Sequence, residues 1–324
     1  MIPYSEPNLT ALEHQYVSEA LTSGWVGGHG DFIDRFEAAF AKYIGVKYAV
    51  TCSSGTAALQ LAYITCGMGN QPTGIPQNTF AATVNMARLL TPQITLLEAD
   101  SETYNIRLGD YRDSTGFTVA VHLYGNPCDM GQVYRWKGTL IEDCAQALGS
   151  EWRWKKCGSF GRASTFSFHS AKTITTGEGG MVCTDDEKVA SGVRHLKNQA
   201  MIAPYEHRGL GFNYRMTNIQ AALGLAQLQR IDGLVAAKRA ITEFYDTGLD
   251  KSFVRQKQVR WAKPCKWANT YRHPRASHIR RELASAGIET RPGFVGDDFI
   301  SFPCSTKLTK PQLEEVVKAA NAAA

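Results

Sequence analysis

Between residues 48 and 184 short apolar runs alternate with helix-like segments, and that alternation restricts the fold more than any other feature of the sequence. The runs at 48–51, 94–98, 119–123 and 140–142 are of buried-strand type, apolar on both sides. Strands of that kind, separated by helical or turn segments, predict a mostly parallel sheet covered on both faces. In such α/β folds the working side chains gather just past the C-terminal strand ends. Asp100 after LLEA, His122 and Asn126 in AVHLYGN, and Asp143 after LIE all fall there.

The flanking chain fills in the helices. Thr10 and Glu13 form a capping box that opens a helix over 10–23. A glycine-rich turn, GWVGGHG, follows, with a lone aromatic at Trp25. Phe32, Phe36 and Phe40 recur at helical spacing and read as a core stripe. Ile75-Pro76 leads into a helix over 79–89, and further helices are expected at 187–198 and 216–231, the last capped by Thr217 or Asn218. A boundary near Leu234 divides the chain into a large domain, 1–233, and a smaller α+β domain, 234–324. In the latter a helix over 277–286, a strand over 288–291 and a closing helix from Lys310 are expected.

Length and composition exclude several classes. A chain of 324 residues can bury at least one large core, and no apolar stretch approaches the length of a membrane span. The N-terminus lacks the basic start and apolar run of a signal peptide, so a cytoplasmic location is expected. Eight scattered cysteines with no CxxC pair indicate neither a zinc site nor a disulfide framework. The net charge of +5 is uneven: from Leu234 onward 16 Lys and Arg face 9 Asp and Glu. A basic third of this kind attracts a nucleotide diphosphate or a nucleic acid, or is a solvated surface. Arg272/Arg275 and Arg280/Arg281 belong to no recognised nucleic-acid fold, so neither a nucleic-acid nor a membrane partner is expected.

Four weak signals occur in one order. SSGTAALQLAY is a small-residue turn entering a helix, whose free N–H groups form a phosphate cradle or simply a cap. NTF supplies an aromatic face at Phe80, IEDCAQ a strand-end carboxylate at Asp143, and STFSFHSAKTITTGEGGMV a lysine, Lys172, in a turn between two strands. Pyridoxal phosphate needs one of each: N–H groups for its phosphate, a face for its ring, a carboxylate for its ring nitrogen and an amine for its aldehyde.

With these motifs in hand, the chain resembles the DegT/DnrJ/EryC1/StrS family of sugar aminotransferases. The resemblance runs through SSGTAAL, NTFAATVN, TYNI, VHLYGNPCDM, LIEDCAQALGS, FGRASTFSFHSAKTITTGEGGMV, GFNYRMTNIQAALGLAQLQRID and GIETRP. It implies a fold-type-I, aspartate aminotransferase-like α/β architecture and transfer of an amino group from L-glutamate to a nucleotide-linked keto-deoxysugar. It also implies Lys172 as Schiff-base lysine and proton shuttle, and Asp143 on the ring nitrogen. Gln146 would meet the ring or its hydroxyl, Phe80 would stack on it, and Gly55, Thr56 and Ser167 would hold the phosphate. Asn213 would reach the phosphate of a neighbouring subunit, making a homodimer with shared sites. Trp25, His169, Glu178, Arg215 and Arg291 would face the substrate. Two other readings stand beside it: a dehydratase of the same family using pyridoxamine phosphate, which carries His where this chain has Lys172, and, from a different class, a cofactor-binding regulator that has lost catalysis, to which the shortened C-terminal part points. Relative to the family the connections after Gly69, between Asp110 and Val119, and between Met130 and Leu140 are short. After Arg291 only GFVGDDFISFPCS stands where members carry a longer substrate-facing loop.

Overall fold

The computed structural model describes residues 1–107, 116–131 and 137–324; the shortened connections at 110–119 and 130–140 lie in part outside the described residues. The large unit is built on strands β1 (Tyr48–Cys52), β2 (Thr73–Pro76), β3 (Ile94–Leu97), β4 (Phe117–Val121), β5 (Thr139–Asp143), β6 (Ala163–Ser167) and β7 (Gly180–Thr184). They form one sheet in the order β1-β7-β6-β5-β4-β2-β3. The pairs β2/β3, β2/β4, β4/β5 and β5/β6 are parallel, while β7 runs antiparallel to both its neighbours. The mostly parallel sheet expected from the apolar runs is therefore present. The run at 94–98 differs from its expected burial: β3 is the edge of the sheet, and Thr95 and Leu96 are exposed.

Helices cover the sheet. They are α1 (Ala11–Thr22), α2 (Asp31–Ile44), α3 (Gly55–Thr65), α4 (Ala81–Arg88), α5 (Glu187–Lys197) and α6 (Asn218–Gln229). The phenylalanine stripe of α2 is core: Phe40 packs edge-on against Phe166 at 5.0 Å and Phe36 lies 5.3 Å from Phe168. Side chains alternate along a strand. Phe166 therefore takes the α2 face, and Ser167 the opposite face, where α3 lies.

The smaller unit contains β8 (Val254–Arg255), β9 (Asn269–Arg272), β10 (Arg291–Pro292) and β11 (Phe299–Phe302), an antiparallel sheet in the order β8-β9-β11-β10. Helices α8 (Ala276–Ser285) and α9 (Lys310–Ala323) pack on it around Ile279, Leu283, Phe302 and Val316. The strand expected over 288–291 is shorter and later; Ile288 instead makes an isolated bridge to Ile2, so the N-terminus joins this unit.

A long helix that the sequence reading left out, α7 (Ile231–Gly248), connects the two units. Its buried residues Ile231, Leu234, Val235, Lys238, Ile241, Thr242 and Tyr245 keep helical spacing. Ile231, Leu234 and Val235 join the large core, whereas Ile241 and Tyr245 join the small one. Leu234, the expected boundary, thus lies within the first turns of a continuous helix.

Candidate active site

A cavity of about 610 Å³ opens at the C-terminal ends of β5 and β6, between the large sheet and the segments 264–268 and 291–301. Its floor follows from strand periodicity. Asp143 ends β5 directly opposite Thr165 of β6, and Ser167, two residues on, shares that face. Helix α3 starts against this edge with Ser54 as N-cap, the Ser54 hydroxyl accepting from the Ala57 amide at 3.1 Å. Gly55 and Thr56 occupy the first turn, where backbone N–H groups have no partner within the helix and the dipole is positive. The approach is close: a Cβ on Gly55 would come within 2.7 Å of the Ser167 Cβ. Gly180 is under the same constraint, since its Cβ would meet the Ser54 carbonyl oxygen at 2.3 Å.

Lys172 sits in the 168–179 connection between β6 and β7, an irregular loop held by its own backbone. The Phe168 amide donates to Gly179 O at 2.8 Å, Thr176 to Phe168 O at 2.9 Å, and Lys172 itself to His169 O at 2.9 Å. The Lys172 Nζ lies 4.4 Å from the centre of the Trp267 ring. Burial lowers its pKa from the ordinary lysine value of 10.5 to about 8, against the opposing pull of the Asp143 charge. Near physiological pH a minor but substantial share of this amine is neutral, far more than in an ordinary lysine, and the neutral form is the nucleophile.

Asp143 is buried and held at both oxygens: Oδ1 accepts the Ala145 amide at 3.0 Å and Oδ2 the Thr83 hydroxyl at 2.8 Å. Gln146 accepts the Tyr124 amide at 2.7 Å through Oε1. Phe80 caps α4 with its ring 55% exposed on the cavity wall. Phe294, on the segment after β10, meets Phe80 edge-on at 5.8 Å and stacks on Tyr124 at 5.5 Å. Its amide also donates to the Tyr124 hydroxyl at 2.6 Å.

The structure brings Lys172, Asp143, Gln146, Phe80, Gly55, Thr56 and Ser167 to one cavity, together with His169, Glu178 and Arg291 on its outer wall. The Arg291 guanidinium pairs with Glu289 at 2.7 Å and lies 5.4 Å from the ring centre of Tyr4. Asn213, Arg215 and Trp25 lie outside that wall. Asn213 is exposed and bridges Asn198, Arg215 donates to Asn198 Oδ1 at 2.5 Å, and the Trp25 carbonyl accepts from Asn218 at 2.8 Å. Tyr4, Thr83, Tyr124, Trp267 and Phe294 are cavity residues that the sequence reading missed. Thr83, on the first turns of a helix opening with NTF, and Tyr124, inside AVHLYGN, had signals near them; Tyr4, Trp267 and Phe294 arrive from segments distant in sequence.

The other strand-end residues do structural work. Asp100 caps a turn by accepting the Glu102 and Thr103 amides, and Asn126 donates to Lys257 O at 2.9 Å. His122, Glu142 and Cys144 bring ligand-type atoms within 4.8 Å of one another. Glu142 already accepts from His122 and from the Gly158, Phe160 and Gly161 amides, and His122 Nδ1 accepts the Cys128 amide at 3.0 Å. Their lone pairs are spent on hydrogen bonds that pin β5 from behind.

The residues present fit pyridoxal phosphate. A helix N-terminus that only glycine can enter, a doubly held carboxylate, a ring face and an amine of lowered pKa share one cavity. A model of the DegT/DnrJ/EryC1/StrS aminotransferase family matches residues 7–296. The chain is 38% identical over 307 residues to a GDP-perosamine synthase of Escherichia coli O157:H7, covering 90% of this chain and 84% of that one. It is 40% identical over 261 residues to the GDP-perosamine synthase of Vibrio cholerae, covering 77% and 71%. Among solved structures, DesV of S. venezuelae superposes with a TM-score of 0.91 at 26% identity, over 99% of this chain and 98% of that one.

Proposed function

The chain belongs to the DegT/DnrJ/EryC1/StrS aminotransferase family, and on that premise we propose that it transfers the amino group of L-glutamate to C4 of a GDP-linked 4-keto-6-deoxymannose, yielding GDP-perosamine. The observation that carries the chemistry is the amine of Lys172, lowered to about 8, in one cavity with Asp143 and the N-terminus of α3. The choice of acceptor rests on the likeness to the two GDP-perosamine synthases.

Pyridoxal phosphate, the cofactor of this family, supplies an aldehyde that takes up an amino group and a ring that withdraws electrons from the carbon losing its proton. Gly55 and Thr56 offer their amides, and Ser167 its hydroxyl, to the phosphate. Phe80 covers the ring and Gln146 lies beside it. Asp143 holds a proton at the ring nitrogen, which is why a carboxylate fixed at both oxygens matters. Lys172 would hold the aldehyde through its amine, and its Nζ, freed when the donor amine takes its place, would be the base that accepts the proton from the donor Cα and the acid that returns it. In the second half-reaction the same amine works in reverse on the acceptor. Arg291, with His169 and Glu178, lines the route by which an anionic substrate enters.

Asn213, Arg215 and Trp25 gather on a surface outside this chain's own cavity, where exposed Trp25, Val26 and Leu210 also stand. That arrangement supports a homodimer in which this surface completes the partner's site, with Asn213 turned to its phosphate. Eight buried free thiols suit a reducing compartment, and the cytoplasm is the proposed location. Among the described residues no helix is long and apolar enough to cross a membrane.

The test is an absorption spectrum of protein reconstituted with pyridoxal phosphate, before and after L-glutamate, for wild type and Lys172→Ala. A visible band that glutamate bleaches, with one equivalent of 2-oxoglutarate released, and its return on adding the keto sugar are expected. Lys172→Ala should lose turnover by roughly a thousandfold or more. A band that glutamate leaves untouched in wild type would sink the transamination reading. Mixing Lys172→Ala with Asn213→Ala, each inactive alone, should restore partial activity if sites are shared between subunits.

A further inference from the structure

We propose that Thr83 is a positioning residue for the cofactor ring, acting through Asp143, with the Thr79 hydroxyl as the donor behind it. Asp143 Oδ1 is fixed by the Ala145 amide of its own chain turn, at 3.0 Å. Oδ2 has a different anchor, the Thr83 hydroxyl at 2.8 Å. A carboxylate can only accept here, so the single hydroxyl proton of Thr83 is committed to Asp143. Thr83 Oγ1 in turn accepts from Thr79 Oγ1 at 2.8 Å. The relay Thr79→Thr83→Asp143 therefore has one polarity.

Its location makes the relay more than a local bond. Thr83 is wholly buried on α4, and its carbonyl accepts the Tyr63 hydroxyl at 3.3 Å. A threonine inside a helix has a poorer propensity than alanine and usually bonds back to its own helix. Here its hydroxyl leaves the helix for a strand end. Phe80 lies between Thr79 and Thr83 in sequence, at the N-cap of the same helix. One helix end thus carries both the side chain that covers the ring face and the hydroxyl that orients the carboxylate for the ring nitrogen. With Thr83 absent, Asp143 is held at one oxygen and is free to swing about its terminal torsion.

The inference rests on the reading that this cavity binds pyridoxal phosphate, and the experiment separates the two. Holoenzyme is prepared with cofactor labelled with ¹⁵N in the ring, and the ¹⁵N shift is recorded for wild type, Thr83→Val, Thr83→Ser, Thr79→Val and, as reference, Asp143→Asn. Thr83→Val keeps shape and removes the proton. Its shift should move from the wild-type value toward that of Asp143→Asn, and Thr83→Ser should return it. Thr79→Val should move it the same way by less. In parallel kcat should fall about tenfold in Thr83→Val with KM for glutamate unchanged. A Thr83→Val shift identical to wild type would overturn the proposal, whatever the activity or melting temperature. Should Thr83→Val fail to fold, an unmoved shift in Thr79→Val together with altered kcat in Thr83→Ser would overturn it equally. Wild-type protein that takes up no cofactor would overturn the cofactor reading itself, and the relay with it.

Discussion

The two walls of the cavity are built on different principles. The inner wall is tied to one sheet: strand register fixes Asp143 and Ser167, Gly55 opens the helix packed against them, and Lys172 sits in the loop that joins β6 to β7. The outer wall, Tyr4, Trp267, Arg291 and Phe294, comes from three short segments, and of these four residues only Arg291 lies in a strand, a two-residue edge. The inner wall is set by backbone hydrogen bonds, the outer by ring contacts and ion pairs at the surface. On the proposed function, the cofactor would be held by the wall tied to the sheet and the acceptor would meet the wall built from connecting segments.

Three substitutions probe that contrast. The largest effect is expected from Lys172→Met in cofactor-free protein. The folded-state pKa of Lys172, about 8, lies below the 10.5 of an ordinary lysine, so the ammonium form opposes folding. The unfolded chain binds the extra proton, and stability rises with pH between those two values. Below pH 8 the variant should be more stable than wild type by about 1–3 kcal/mol, a gain that shrinks as pH climbs and vanishes above about 10.5. Urea titrations across pH would show it; a gain independent of pH would mean the inner wall carries no charge strain.

Gly55→Ala comes next. The added methyl meets Ser167 at 2.7 Å, between two backbones that cannot retreat. A loss of about 1–3 kcal/mol is expected, divided between a lower melting temperature and weaker cofactor retention on dilution. Unchanged retention would remove the α3 N-terminus from the phosphate role. Phe294→Ala should have the smallest and most selective effect. Losing its contacts with Phe80 and Tyr124 should cost about 1 kcal/mol, seen as a severalfold higher KM for the keto sugar. The glutamate half-reaction, followed by band bleaching, should keep its rate. Equal damage to both half-reactions would erase the distinction between the walls.

The same division explains what the sequence disclosed. Apolar runs located four strands of the large sheet, and the two strands flanking Lys172 were read from its own motif; the lysine, carboxylate and small-residue turn of the inner wall stood next to these strands. Period-two geometry did the rest, placing Ser167 and Asp143 on one face. Trp267 and Phe294 had no comparable signal, because their position depends on how the small unit docks. Helix α7 escaped because Gly233 and two threonines dilute a stripe that is nonetheless continuous from Ile231 to Tyr245. Asn213, Arg215 and Trp25 were legible as a group only through the family resemblance; the single chain keeps them apart from its own cavity.

That helix also has a mechanical meaning. Because its first turns are embedded in one core and its last turns in the other, α7 works as a tie rod, and an α-helix resists bending far more than a loop does. Swinging the small unit outward as a rigid jaw would require breaking α7 or extracting Tyr245 from its seat against Phe302, 5.6 Å away. The rim of the cavity is the strap that begins at Arg291, tied to the small unit by the Arg272–Asp298 ion pair and to the large one by the Phe294 amide on the Tyr124 hydroxyl. Two cores joined by one continuous helix, with a rim pinned to both, make a vessel whose walls brace each other.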